Sequence, residues 1–86
     1  MSIQQTAQNW IVEHEGAVVA VAFRDVDEFV AVGSDGLDTC GKTLSEALAG
    51  ALERSGVPSH CWPQEAQVVW QAWQAKRASI NYALPF

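Results

Sequence analysis

The spacing of apolar residues changes partway along this chain. Between residues 17 and 33 they come in two runs, Val18-Val19-Ala20-Val21-Ala22-Phe23 and Phe29-Val30-Ala31-Val32, separated by the acidic stretch Asp25 to Glu28. Valine and phenylalanine suit a pleated surface and aspartate suits a turn, so the pattern predicts a hairpin with strands over 17–24 and 29–33. Ser34-Asp35-Gly36 carries turn chemistry, and a short third strand is expected over Leu37 to Cys40. The result is a three-stranded antiparallel meander. In the first of these strands Val18, Ala20 and Ala22 alternate with Val19, Val21 and Phe23. A sheet with one wet face would show a polar residue at every second position. Both faces are therefore expected to be covered, by a helix on each side or by a partner on one.

Beyond Gly41 the period becomes helical. Leu44, Ala47, Leu48, Ala51 and Leu52 form one stripe, Thr43 is placed to cap it with Glu46 three residues on, and Gly56 is placed to end it in the left-handed region. Gly50 reads first as a tolerated helix glycine, costing about 1 kcal/mol relative to alanine, and second as a packing contact. Val57 to Trp62 reads as a loop, and Pro63 suits the first turn of a last helix running to about Ser79. Ile80 to Phe86 is an apolar tail, expected to add an edge strand or to lie in a groove. At the other end, Ser2 and Gln5 have capping-box spacing and Ile3, Ala7, Trp10 and Ile11 share a helical face. That predicts a short helix giving way to a strand near Trp10. The competing reading makes Trp10 to His14 a first strand that turns at Glu15-Gly16.

Composition narrows the class. Eighty-six residues at 49% hydrophobic and 17% charged make one folded domain over 1–86, burying roughly 60 to 65% of the surface exposed by the unfolded chain. The net charge of −5 lacks the clustered Lys and Arg that grip phosphates, so no direct nucleic-acid contact is expected. A basic or nucleic-acid-handling protein is the better electrostatic match. Neither a secretory signal pattern nor a membrane-length apolar run is visible, which reads as a cytoplasmic chain with Cys40 and Cys61 as reduced thiols.

Two constellations are candidates for an interface. The last helix carries Ala66, Val69, Trp70, Trp73 and Arg77 on one stripe, Val68, Ala72 and Ala75 beside it, and Gln64, Gln67, Gln71 and Gln74 on the remaining face. An uncharged hydrogen-bonding face suits contact with a partner, and tryptophan is enriched at binding hot spots, although it is also a good core filler. Trp62, Gln67, Trp70, Gln71, Trp73 and Gln74 are the predicted contact residues. Asp25, Asp27, Glu28, Asp35 and Asp38 form the second candidate surface, a row of negative charge shaped to meet a basic groove. A strand of about 17 Å separates the two turns that hold them, too far for one metal ion. His14, His60, Cys40 and Cys61 match a zinc set by count but not by spacing. No catalytic unit, metal site or cofactor is expected.

The stretch Thr39-Cys40-Gly41-Lys42-Thr43-Leu44-Ser45-Glu46-Ala47-Leu48-Ala49-Gly50-Ala51 resembles the strand-to-helix junction of HicB-type antitoxins, whose pattern is T-x-G-x-T-L-x-E-A-L-x-x-A after a short β-meander. The resemblance covers Val18 to Arg54. It implies an α+β fold and a habit of sequestering a partner protein. This chain has Ser34-Asp35-Gly36-Leu37-Asp38 in place of the family's Pro- and Gly-containing segment, and only Lys76 and Arg77 as bases beyond residue 57.

The expectation is a single α+β domain with a three-stranded antiparallel sheet and flanking helices. It would act without catalysis as a protein-binding inhibitor of a nucleic-acid-handling partner, in the manner of antitoxins or anti-CRISPR proteins. A homodimer assembled through the last helix is the alternative, and a small enzyme subunit or metal-binding protein the second alternative.

Overall fold

The computed structural model describes the backbone of residues 1–83 and the side-chain surroundings of residues 1–78. Five strands precede two helices: β1 (Ser2–Gln5), β2 (Asn9–His14), β3 (Ala17–Asp25), β4 (Glu28–Gly33), β5 (Asp38–Gly41), α1 (Leu44–Ser55) and α2 (Gln64–Ala83). Each strand pairs antiparallel with its neighbour in the chain, giving one sheet in the order β1-β2-β3-β4-β5. The α+β class and the hairpin, third strand and capped helix stand as expected. The three-stranded sheet does not, because two further strands occupy the N-terminal region.

No helix forms at the N-terminus. Ile3 pairs with Val12 and Gln5 with Trp10, so residues 2–5 are an edge strand. Trp10-Ile11-Val12 favours extended backbone, and once β2 is in place its free N–H and C=O groups are satisfied by residues 2–5. Thr6 closes that turn, its Oγ1 accepting from the Asn9 N–H at 3.0 Å. The competing reading, in which the chain turns at Glu15-Gly16, is the observed one. Both residues have positive φ, 53° and 79°, as a two-residue turn matched to strand twist requires.

Thr43 caps α1 by accepting from the Glu46 N–H at 3.2 Å, and Gly56 ends it at φ 77°. The helix lies on one face of the sheet. Ala20, Ala22 and Ala31 are buried beneath it, and an added Cβ at Gly33 or Gly41 would meet atoms of α1. Small residues on this sheet face let the helix axis come close. Gly50 is a packing contact rather than a tolerated defect, since a Cβ there would run into the Thr39 side chain on β5.

The second helix packs on α1, not on the far face of the sheet. Residues 47 to 52 of α1 are consequently buried all round. Ser45 Oγ donates to Glu65 at 3.2 Å and Arg77 Nη1 to Glu53 at 3.2 Å, tying the two helices at their surface. The backbone of residues 80–83 continues α2 rather than adding a strand; residues 84–86 of the expected tail lie outside the described residues.

Candidate functional site

The strand registers sort every sheet residue onto one of two faces. Trp10 pairs with Ala22, Val12 with Ala20, Ala22 with Ala31 and Ala31 with Thr39, which places these residues on the α1 side. The opposite face follows from the pleat. Ile11, Val21 and Val32 form one row across it, ending at Asp38, and Phe23, Val30 and Cys40 form the next. Val18 stands beside Glu13, and Asp25 beside Glu28. The register shifts between Val12 and Glu13, so Val19 is the extra residue of a bulge and packs into the core next to Ala20.

No element among the described residues covers this second face. Ile11, Val21 and Val32 are half-buried and lie apart from the core cluster that joins sheet, α1 and α2, while Val30 between them is closed off by its neighbours, only 6% exposed. Val18 is 51% and Phe23 36% exposed. Of the two expected ways of covering both faces, a helix on each side is not the one found: the stripe of α2 that holds Ala66, Val69, Trp70 and Trp73 packs with α1 instead. Four carboxylates border the apolar block, Asp25 and Glu28 at one end, Glu13 at the other, and Asp38 at the side, level with Val21 and Val32. None of the strand residues on this face is basic; Arg24 points to the helix side, over the Phe29 ring.

The predicted contact residues are distributed differently. Trp62 is 5% exposed, its indole N–H donates to the Val57 carbonyl at 2.9 Å, and its ring meets that of Trp70 edge-on at 5.9 Å. Trp70 and Trp73 are half-buried against the core. Gln67 donates to the Trp62 carbonyl at 2.8 Å, while Gln71 is exposed and Gln74 half-buried. The tryptophans therefore hold the two-helix contact, and Val68, Gln71, Ala72 and Ala75 are exposed on α2 together with the charged Glu65, Lys76 and Arg77.

Among the predicted acids, Asp25, Glu28 and Asp38 reach the open face, joined by Glu13, which sequence reasoning did not single out. Asp27 sits in the two-residue β3–β4 turn beside Val26, whose φ is 57°. Asp35 is committed to structure. Its carboxylate accepts from the Leu37 N–H at 3.1 Å and from Arg54 Nε at 3.0 Å. These two contacts, the backbone one first, hold its pKa below the usual carboxylate range.

His14, His60 and Cys61 line a recess of about 560 Å³ with Val19, Ser55 and Val57. Cys40 lies away from it on the open face. No three His, Cys, Asp or Glu side chains among the described residues are grouped to hold a metal. The Ser55 hydroxyl donates to the Ala51 carbonyl at 2.8 Å. No described helix is long and apolar enough to cross a membrane. The chain matches no protein family, curated protein or solved structure.

Proposed function

We propose that this chain is a non-catalytic, cytoplasmic protein-binding module that sequesters a basic partner through the open face of its sheet, in the manner of an antitoxin or anti-defence inhibitor. One observation carries the reading: an apolar block of Ile11, Val18, Val21, Phe23 and Val32 around the buried Val30, its outer surface uncovered by the described chain, is bordered by four carboxylates with no strand base beside it. Contiguous exposed apolar surface marks interaction sites, and a single sign of charge around it selects the complementary sign. A nucleic-acid-handling protein supplies that sign, and the resemblance of residues 18–54 to antitoxins points the same way.

The reading is tested by capture with wild-type protein and with a variant carrying Glu13, Asp25, Glu28 and Asp38 as serine, its fold checked by circular dichroism. Basic partners held by the wild type, released by salt and lost by the variant support it. Equal retention by the variant sinks it.

Self-association through α2 is the second reading, favoured by Val68, 55% exposed, with Ala72 and Ala75 exposed at helical spacing beside it. Light scattering should then show a dimer that Val68→Glu converts to a monomer. A wild-type monomer removes this reading.

A further inference from the structure

We infer that the segment docking on the open face is a basic amphipathic helix of about four turns, lying along β3 with cationic residues at both ends. This rests on the docking reading above and specifies the partner's form. Width comes first. The apolar residues occupy β2, β3 and β4, two interstrand spacings or about 10 Å, which matches one helix of about 10–12 Å diameter. A second sheet would also need apolar residues over β1 and β5. There the face presents Ser2, Gln4 and Asp38 instead, with Cys40.

Length and charge agree with the same occupant. From Val18 to Asp25 the face runs about 20 Å, at about 3.3 Å per residue and with the bulge allowed for. A helix covers that distance in about 13 residues. Its apolar ridge would rest on Val18, Val21, Phe23 and Val32, and Lys or Arg near its two ends would meet Asp25 and Glu28 at one end and Glu13 at the other, with Asp38 to the side beyond Val32. A second copy of this chain is a poor occupant. Face to face, two copies would bring the same eight carboxylates into one interface without a strand cation to separate them, and like charges so placed disfavour association.

Synthetic peptides test this directly. Three are needed, each of about 18 residues and built from leucine and lysine. One has helical leucine spacing with lysine groups about 13 residues apart, one has the groups about 7 apart, and one alternates leucine and lysine with strand period. Titration is followed by amide chemical shifts of the folded full chain. The wide-spaced helical peptide is expected to shift Val21, Phe23, Val30 and Val32, and to bind at least about tenfold more tightly than either of the others. Asp25→Lys with Glu28→Lys, changes confined to the turn end of the face, should weaken it by about tenfold or more. Tighter binding of the alternating peptide at this face, or equal binding of all three there, overturns the helix and leaves the docking reading standing. If none of the peptides moves these resonances, both fail.

Discussion

Gly50 of α1 faces Thr39 of β5 so closely that a single methyl group does not fit between them. A Cβ at Gly50 would meet Thr39 Cγ2 inside van der Waals contact and lie 3.2 Å from both Thr39 Cβ and Oγ1.

Helix propensity alone says that Gly50→Ala should stabilise this helix by about 1 kcal/mol. The contact reverses the sign: overpacking is expected to leave Gly50→Ala destabilised by about 1–3 kcal/mol in urea unfolding. Thr39→Ser removes Cγ2 and keeps the hydroxyl that accepts from Arg54 Nη1 at 2.7 Å. The double variant should recover most of the loss, and additive losses would show that the contact does not govern the site.

Arg54 fastens the end of α1 to the β4–β5 connection with three donors, Nε to Asp35 at 3.0 Å, Nη1 to Thr39 at 2.7 Å and Nη2 to the Leu37 carbonyl at 2.8 Å. Lysine carries the charge without the planar fork. Arg54→Lys should therefore cost about 1 kcal/mol, the modest value that solvent exposure allows. A neutral result would mean that charge alone suffices.

Asp35 makes acid stability a readout of the same clamp. Its folded pKa is held below the ordinary 3.8, first by the Leu37 N–H and then by Arg54. A depressed folded pKa means that the stabilisation is complete above 3.8 and disappears as pH falls through the folded value. Asp35→Asn should be less stable than wild type at neutral pH, with the gap closing once the medium is more acidic than the folded pKa. A gap that persists there assigns the loss to something other than ionisation.

Val26 is held at φ 57° at the β3–β4 turn and is 87% exposed. A β-branched residue is strained in the left-handed region, where asparagine is tolerated. Val26→Asn is expected to raise stability by about 1 kcal/mol in thermal unfolding. Unchanged stability would mean that the turn relaxes without strain.

The two faces of the sheet should respond differently to truncation and polarity. Val12, fully buried on the α1 side, should lose about 2 kcal/mol on replacement by alanine. Val21→Thr, on the open face, should cost less than about 1 kcal/mol and weaken partner capture instead. Similar losses of stability at both positions would mean that the second face is covered in the free protein.

Legibility in the sequence followed the range of the interaction. The α1 cap was readable because Thr43, Glu46 and Gly56 act within one helix. The first strand was not, because Ser2 and Gln5 have capping spacing and only the pairing of Ile3 with Val12 decides against a helix. Gly50 was misread for a related reason: its partner Thr39 is brought to it by β5, and no local pattern records that approach. The two-sided apolar character of β3 was visible in residues 18 to 23. Which side would stay open depended on α2 choosing α1 over the sheet, a competition between surfaces rather than a property of either segment. Three of the four border carboxylates were visible, and Glu13 joins Asp25, Glu28 and Asp38 only through the register of β2 on β3.

Because every strand pairs with the one before it, the sheet closes only short loops, the condition under which chains fold fast. During synthesis the open face needs nothing beyond Gly41, whereas the other face waits for α1 to emerge. The two faces of one sheet therefore depend on different lengths of chain, residues 2–41 for the open one and residues 2–55 for the packed one.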